Sequence, residues 1–151
     1  IPDSVEMIGT IRTFDEGMRD QVFKDLDNIA QHVAAAHGAT VTSKIPDSQG
    51  NPVTSNNPAL TAKVLPSLKQ VAGAENVVEM TLTTGAEDFA YYAKEVPGFF
   101  FFVGATPKGQ DANNAPSNHS PKFFLDESAL PLGTRALLQV SLDYLNGAND
   151  G

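Results

Sequence analysis

The chain has 151 residues, enough to bury a core, and its 41% hydrophobic and 19% charged content is that of an ordinary globular protein. A net charge of −8, with ten Lys and Arg that form no basic run, argues against a nucleic-acid backbone or an anionic membrane as the main partner, because both would repel it. Cysteine is absent, which excludes a disulfide framework and a thiolate nucleophile, so any metal must be held by His, Asp or Glu.

No apolar run approaches the roughly 18 to 20 residues that span a bilayer. The opening Ile1-Pro2-Asp3-Ser4 lacks the basic and apolar regions of a signal peptide. With no initiator Met the chain reads as the interior of a longer protein, and its compartment stays undetermined.

In chain order, residues 5–14 alternate as a half-buried strand does, with Val5, Met7, Gly9 and Ile11 on one face and Glu6, Ile8, Thr10 and Arg12 on the other. Asp15 is a fair N-cap, and Glu16 suits the first turn of a helix. Met18, Val22, Phe23, Leu26, Ile29, Ala30 and Val33 then recur at helical spacing up to the stop at His37-Gly38. Residues 39–45 alternate again and complete a β-α-β unit. The turn formers from Pro46 to Pro52 mark a boundary or a long loop.

Asn57-Pro58 opens a second helix, with Leu60, Val64, Leu65, Leu68 and Val71 on its apolar face and Gly73 beyond it. Pro66 is expected to kink or break it. Residues 77–82 are expected as a short strand and 87–94 as a short helix ended by Pro97-Gly98. Residues 99–103, Phe-Phe-Phe-Phe-Val, are apolar throughout, as in a strand covered on both faces, which favours the central strand of an α/β sheet. A long Pro-, Gly- and Asn-rich loop follows to Asn118. Asp126-Glu127-Ser128 introduces a last helix that ends at Asn146-Gly147.

Candidate chemistry concentrates between Thr83 and Phe123. His119, on a polar loop beyond the expected buried strand, has the side chain and the place of a metal ligand, although a surface histidine fits the same pattern. Glu87 and Asp88, after Gly85, could act as a base, a ligand or an orienting partner, or simply stabilise a helix's first turn. Arg12 could clamp a carboxylate or face solvent. His32 and His37, five apart, read as surface residues, and Tyr91 and Tyr92 as packing. There is no P-loop or dinucleotide fingerprint, and no Ser-His-Asp arrangement can be argued.

Three segments together resemble one family. Ile1 to Asp15, then Gly85-Ala86-Glu87-Asp88-Phe89-Ala90-Tyr91-Tyr92 with Val96 to Gly104, then His119-Ser120-Pro121-Lys122-Phe123 with Asp126 to Leu130, are similar to the carboxyl-terminal part of the zinc-dependent amidohydrolases. The branch is that of hippurate hydrolase, N-acyl amino acid hydrolases and plant hydrolases of auxin–amino acid conjugates. The resemblance implies an α/β fold in which 1–50 is the second half of a lid and dimerisation domain and 51–151 the end of a catalytic domain. It implies His119 as a metal ligand, with Zn2+ or another divalent ion such as Mn2+ or Co2+, and Arg12, Gly85, Glu87 and Asp88 on the substrate side.

The implied substrate is an N-acyl amino acid or a peptide-like molecule, and the implied partners are a second copy, as a homodimer, and the missing amino-terminal half. The other ligands and the general base lie in that half, so no catalytic residue is expected in this chain, which alone should be inactive. The alternative is a non-catalytic dimerisation or binding module.

Overall fold

In the computed structural model, which describes residues 2–148, the regular structure is four α-helices: α1 (Glu16–Ala36), α2 (Pro58–Ala72), α3 (Phe89–Glu95) and α4 (Ala129–Leu145). A 3₁₀ turn at Ala74–Asn76 follows α2. The helix ends are local chemistry. The Asp15 carboxylate accepts from the Met18 N–H at 2.6 Å, and α1 stops where Gly38 turns to a φ of +69°. Asn57 caps α2 through its side chain, which accepts from Leu60 N–H at 2.9 Å, with Pro58 in the first turn, where no N–H is missed.

The chain divides into two units. The first comprises the residues up to Ser55 together with Thr81–Val96, and the second Asn56–Met80 together with the residues from Pro97 onward.

Within the second unit α2 packs on α4. Val64, Ser67 and Leu68 of α2 and Ala129 and Ala136 of α4 are buried. The Ser67 hydroxyl, only 2% exposed, bonds the Asp143 carboxylate, which also accepts from Gln139 at 2.9 Å, so the buried hydroxyl is satisfied across the helix pair. α2 runs on through Pro66, so of the expected kink or break no break occurs; Ser67, just past the proline, is tied to Asp143 of α4.

The first unit is built differently. α1 is 21 residues long and buries none of them; Met18 and Ile29 on its apolar stripe are 60% and 58% exposed. The Ser43 hydroxyl donates to Asp27 and ties the segment after α1 back to the helix.

The expected strands are a correction. Among the described residues none of 5–14, 39–45, 77–82 or 99–103 forms a strand, so the α/β architecture is not formed here and the regular structure is helical. The reason is pairing: a strand is completed by a neighbouring backbone about 4.8 Å away, and alternation in one segment specifies a face without supplying that neighbour. Val5 and Ile8, expected on opposite faces of a half-buried strand, are 78% and 90% exposed.

The 99–103 run retains the period of an extended chain. The rings of Phe99 and Phe101 stack at 6.0 Å and those of Phe100 and Phe102 meet edge-on at 5.1 Å, so side chains two apart share a face. In place of a ladder, the Asn56 side-chain amide takes both backbone groups of Phe100, donating to its carbonyl at 2.8 Å and accepting from its N–H at 2.7 Å. Beside it, Asn57 N–H donates to the Gly98 carbonyl at 2.9 Å.

Candidate functional site

Four of the five expected site residues fall in the first unit: Arg12, Gly85, Glu87 and Asp88. Arg12 precedes α1, and its Nη1 donates to the Thr84 carbonyl at 2.9 Å, across 72 residues of chain. The guanidinium is thereby joined to the turn that contains Gly85 and keeps further donors beyond the one that Thr84 takes. Gly85 is exposed, and an added Cβ would meet only the Thr83 hydroxyl, at 4.0 Å, so the turn is open to an approaching group.

Glu87 and Asp88 sit at the start of α3. The Glu87 and Asp88 carbonyls accept from Ala90 N–H and Tyr91 N–H, each at 3.1 Å, which closes the first turn of that helix. Asp88 occupies the N-cap position, yet its backbone is helical and its carboxylate makes no capping bond. Its Oδ1 instead accepts from Asn51 Nδ2 at 3.2 Å. Arg19 Nη1 donates to the Asn51 carbonyl at 3.2 Å, and the Tyr91 hydroxyl donates to the Gly50 carbonyl at 3.2 Å. Tyr91 is therefore a polar tether, which its reading as packing had not anticipated.

At the far end of α3, Lys94 Nζ lies 2.8 Å from Glu16 Oε1 and 2.9 Å from Oε2. This bond from Lys94 lowers the Glu16 pKa below its ordinary value.

His119 belongs to the second unit and is exposed. Its loop is shaped by short-range bonds: Ser120 N–H donates to the Ser117 carbonyl at 2.9 Å, and Phe123 N–H to the Ser120 carbonyl at 3.0 Å. Beyond it, Asp126 N–H donates to the Ala105 carbonyl at 2.8 Å. The Asp126 carboxylate accepts from Ser128, which lowers its pKa, with Lys108 adding a smaller effect in the same direction. Among the described residues no group of three or more His, Asp or Glu side chains could hold a metal ion. His32 and His37, expected at the surface, are exposed.

The residue that sequence reasoning missed is Asn51. It lay in a run of turn formers with nothing to set it apart, and its partner is 37 positions away, beyond any local spacing rule.

The family model for peptidase family M20/M25/M40 matches residues 6–143. The chain belongs to this family. Among its relatives, thermostable carboxypeptidase 2 of Saccharolobus solfataricus is 34% identical over 146 residues, covering 97% of this chain and 36% of the relative. The Arabidopsis thaliana protein named IAA-amino acid hydrolase ILR1-like 4 is 34% identical over 159 residues, covering 99% and 36%. An N-acetylcysteine deacetylase of Bacillus subtilis is 30% identical over 149 residues, covering 96% and 35%. The chain thus spans about a third of the length of the curated relatives it matches.

Proposed function

We propose that this chain is part of a metal-dependent amidohydrolase that cleaves the amide bond of N-acyl amino acids or related molecules. Membership of the peptidase family and the names of the relatives, which are hydrolases, carboxypeptidases and deacetylases, support amide hydrolysis as the reaction class. The single observation that supports the substrate side is the Arg12–Thr84 bond, which sets a guanidinium, a group suited to a carboxylate, beside the 85–88 turn in one unit. In this reading residues 1–50 are half of a lid and 51–151 the end of a catalytic domain. The sheet belongs to the assembled protein, where the unpaired segments find neighbours.

His119 is proposed as one ligand of the metal, Zn2+ or another divalent ion, which when bound would polarise the amide carbonyl and supply an activated water. The described residues do not by themselves fit such an ion, since no group of three or more His, Asp or Glu side chains among them could hold it. No catalytic step is therefore assigned to this chain alone. Its own residues orient: Arg12 takes the substrate carboxylate with the donors that Thr84 leaves, and the 85–88 turn borders the acyl-amino acid.

The test is zinc content and N-acyl amino acid hydrolysis by the 151-residue chain, measured with and without the amino-terminal part that full-length relatives contain. Activity with about two metals only when both parts are present is the expected outcome. Hydrolysis by the chain alone would overturn the ligand assignment, and none in either case would favour the second reading.

That second reading is a non-catalytic dimerisation or binding module. The observation in its favour is α1, whose apolar stripe of Met18, Leu26, Ile29 and Val33 is exposed along its length.

A further inference from the structure

α3 is too short to hold itself. Its seven residues fall below the roughly 12 to 15 at which isolated helices become even marginal in water. Burial contributes little, since Ala90 is its one buried residue. What fastens it is polar and one-sided. Asp88, Tyr91 and Lys94 recur at a spacing of three, on one helix face, and each is bonded outside the helix: to Asn51, to the Gly50 carbonyl and to Glu16.

Asn51 is the hinge-pin of this set. Arg19 holds its carbonyl from α1, Pro52 after it is buried, and its side chain reaches Asp88. An aspartate at an N-cap ordinarily bonds the N–H groups of its own helix. Asp88 departs from that rule in favour of Asn51, and such local departures in natural proteins concentrate at functional positions.

We propose that Asn51 is a positioning residue that sets where the Asp88 carboxylate and the 85–88 turn stand, a role that rests on reading this turn as the substrate side of an amidohydrolase site. The amide engages Oδ1 alone, which leaves Oδ2 to accept a second donor. A substrate amide N–H is the chemistry that fits it.

Asn51→Asp sets two carboxylates against each other, and amide hydrogen exchange in the 151-residue chain reads the result. Ala90 and Tyr91 N–H, which close the first turn of α3, should exchange at least about tenfold faster, while the α4 amides stay at their original rate. Combining Asn51→Asp with Asp88→Asn exchanges donor and acceptor and should restore the protection. Unchanged exchange in Asn51→Asp, or no recovery in the pair, overturns the proposal. Asn51→Ala, which adds no charge, gives the same reading if Asn51→Asp unfolds.

In the full-length enzyme Asn51→Ala should raise KM for an N-acyl amino acid about tenfold with kcat nearly unchanged, and Asn51→Gln should recover part of it. An unchanged KM overturns the positioning role. If the unsubstituted full-length enzyme hydrolyses no N-acyl amino acid, the amidohydrolase reading fails, and the exchange result alone decides whether Asn51 holds the turn.

Discussion

The α2–α4 pair and the α1–α3 region are both helical, and they are held by different forces. In the pair, Val64, Leu68, Ala129 and Ala136 are buried and a buried serine is satisfied across the interface. In the α1–α3 region the connections are Arg12 to Thr84, Arg19 and Asp88 to Asn51, Tyr91 to Gly50 and Lys94 to Glu16, with α1 burying nothing. Apolar burial gives cohesion that does not depend on which groups meet, whereas exposed polar bonds contribute little net energy and much geometry. The region expected to touch substrate is thus defined by where its tethers point, and the region that carries His119 by how well its helices pack.

Leu68→Ala is the strongest way to break that contrast. It removes a buried side chain of α2, in a residue only 7% exposed, and should cost about 2 to 4 kcal/mol. Denaturant unfolding monitored through α4 amides should show it, with Ala90 and Tyr91 exchange nearly unaffected if the two regions are independently held. An equal loss at both would show that they unfold as one. Asp15→Ala is smaller, about 1 kcal/mol, because it removes only the α1 N-cap. Its effect should be confined to the first unit, and accelerated exchange at the Met18 amide is the measurement.

Acid probes both regions at once. Glu16 lies below its ordinary 4.5 because of Lys94, and Asp143 below its ordinary 3.8 because of Ser67 and then Gln139. Each folded-state pKa is lowered, so each contribution is fully present above those ordinary values and is lost as pH falls through the lower folded value. Stability should therefore be flat near neutrality and decline from about pH 4 downward. Ser67→Ala should flatten the decline read at α4, and Lys94→Met the decline read at α3.

Much of the helical structure was legible because its signals are short-range. Asp15 before Glu16, Asn57 before Pro58, Gly38 and Gly147 each act within a few residues, and α1 begins and ends, α2 begins and α4 ends where those residues stand. The expected strands are not formed among the described residues for the complementary reason. The alternation around Val5 and Ile8 and the phenylalanine run are real patterns, and the ring pairs of Phe99 with Phe101 and of Phe100 with Phe102 keep their period. A ladder also needs a partner backbone, and here Asn56 supplies Phe100 with a side-chain substitute. Pro66 does not break α2, since the packing of α2 on α4 and the Ser67–Asp143 bond just past it oppose the break that a missing N–H favours.

The site divides along the same line. His119 and the 85–88 turn could be marked by residue type, and their family by the order of three motifs. That Arg12 reaches Thr84 and Asn51 reaches Asp88 could not be marked, since the partners lie 72 and 37 residues apart and no periodicity links them. The sequence by itself determined the caps of α1 and α2 and the membership of a peptidase family, because those depend on neighbours within a turn or on matching residue order. Only the tertiary structure decided which carbonyl orients Arg12 and which amide engages Asp88, because a hydrogen bond requires its atoms within about 3 Å, and nothing short of the folded chain brings them there.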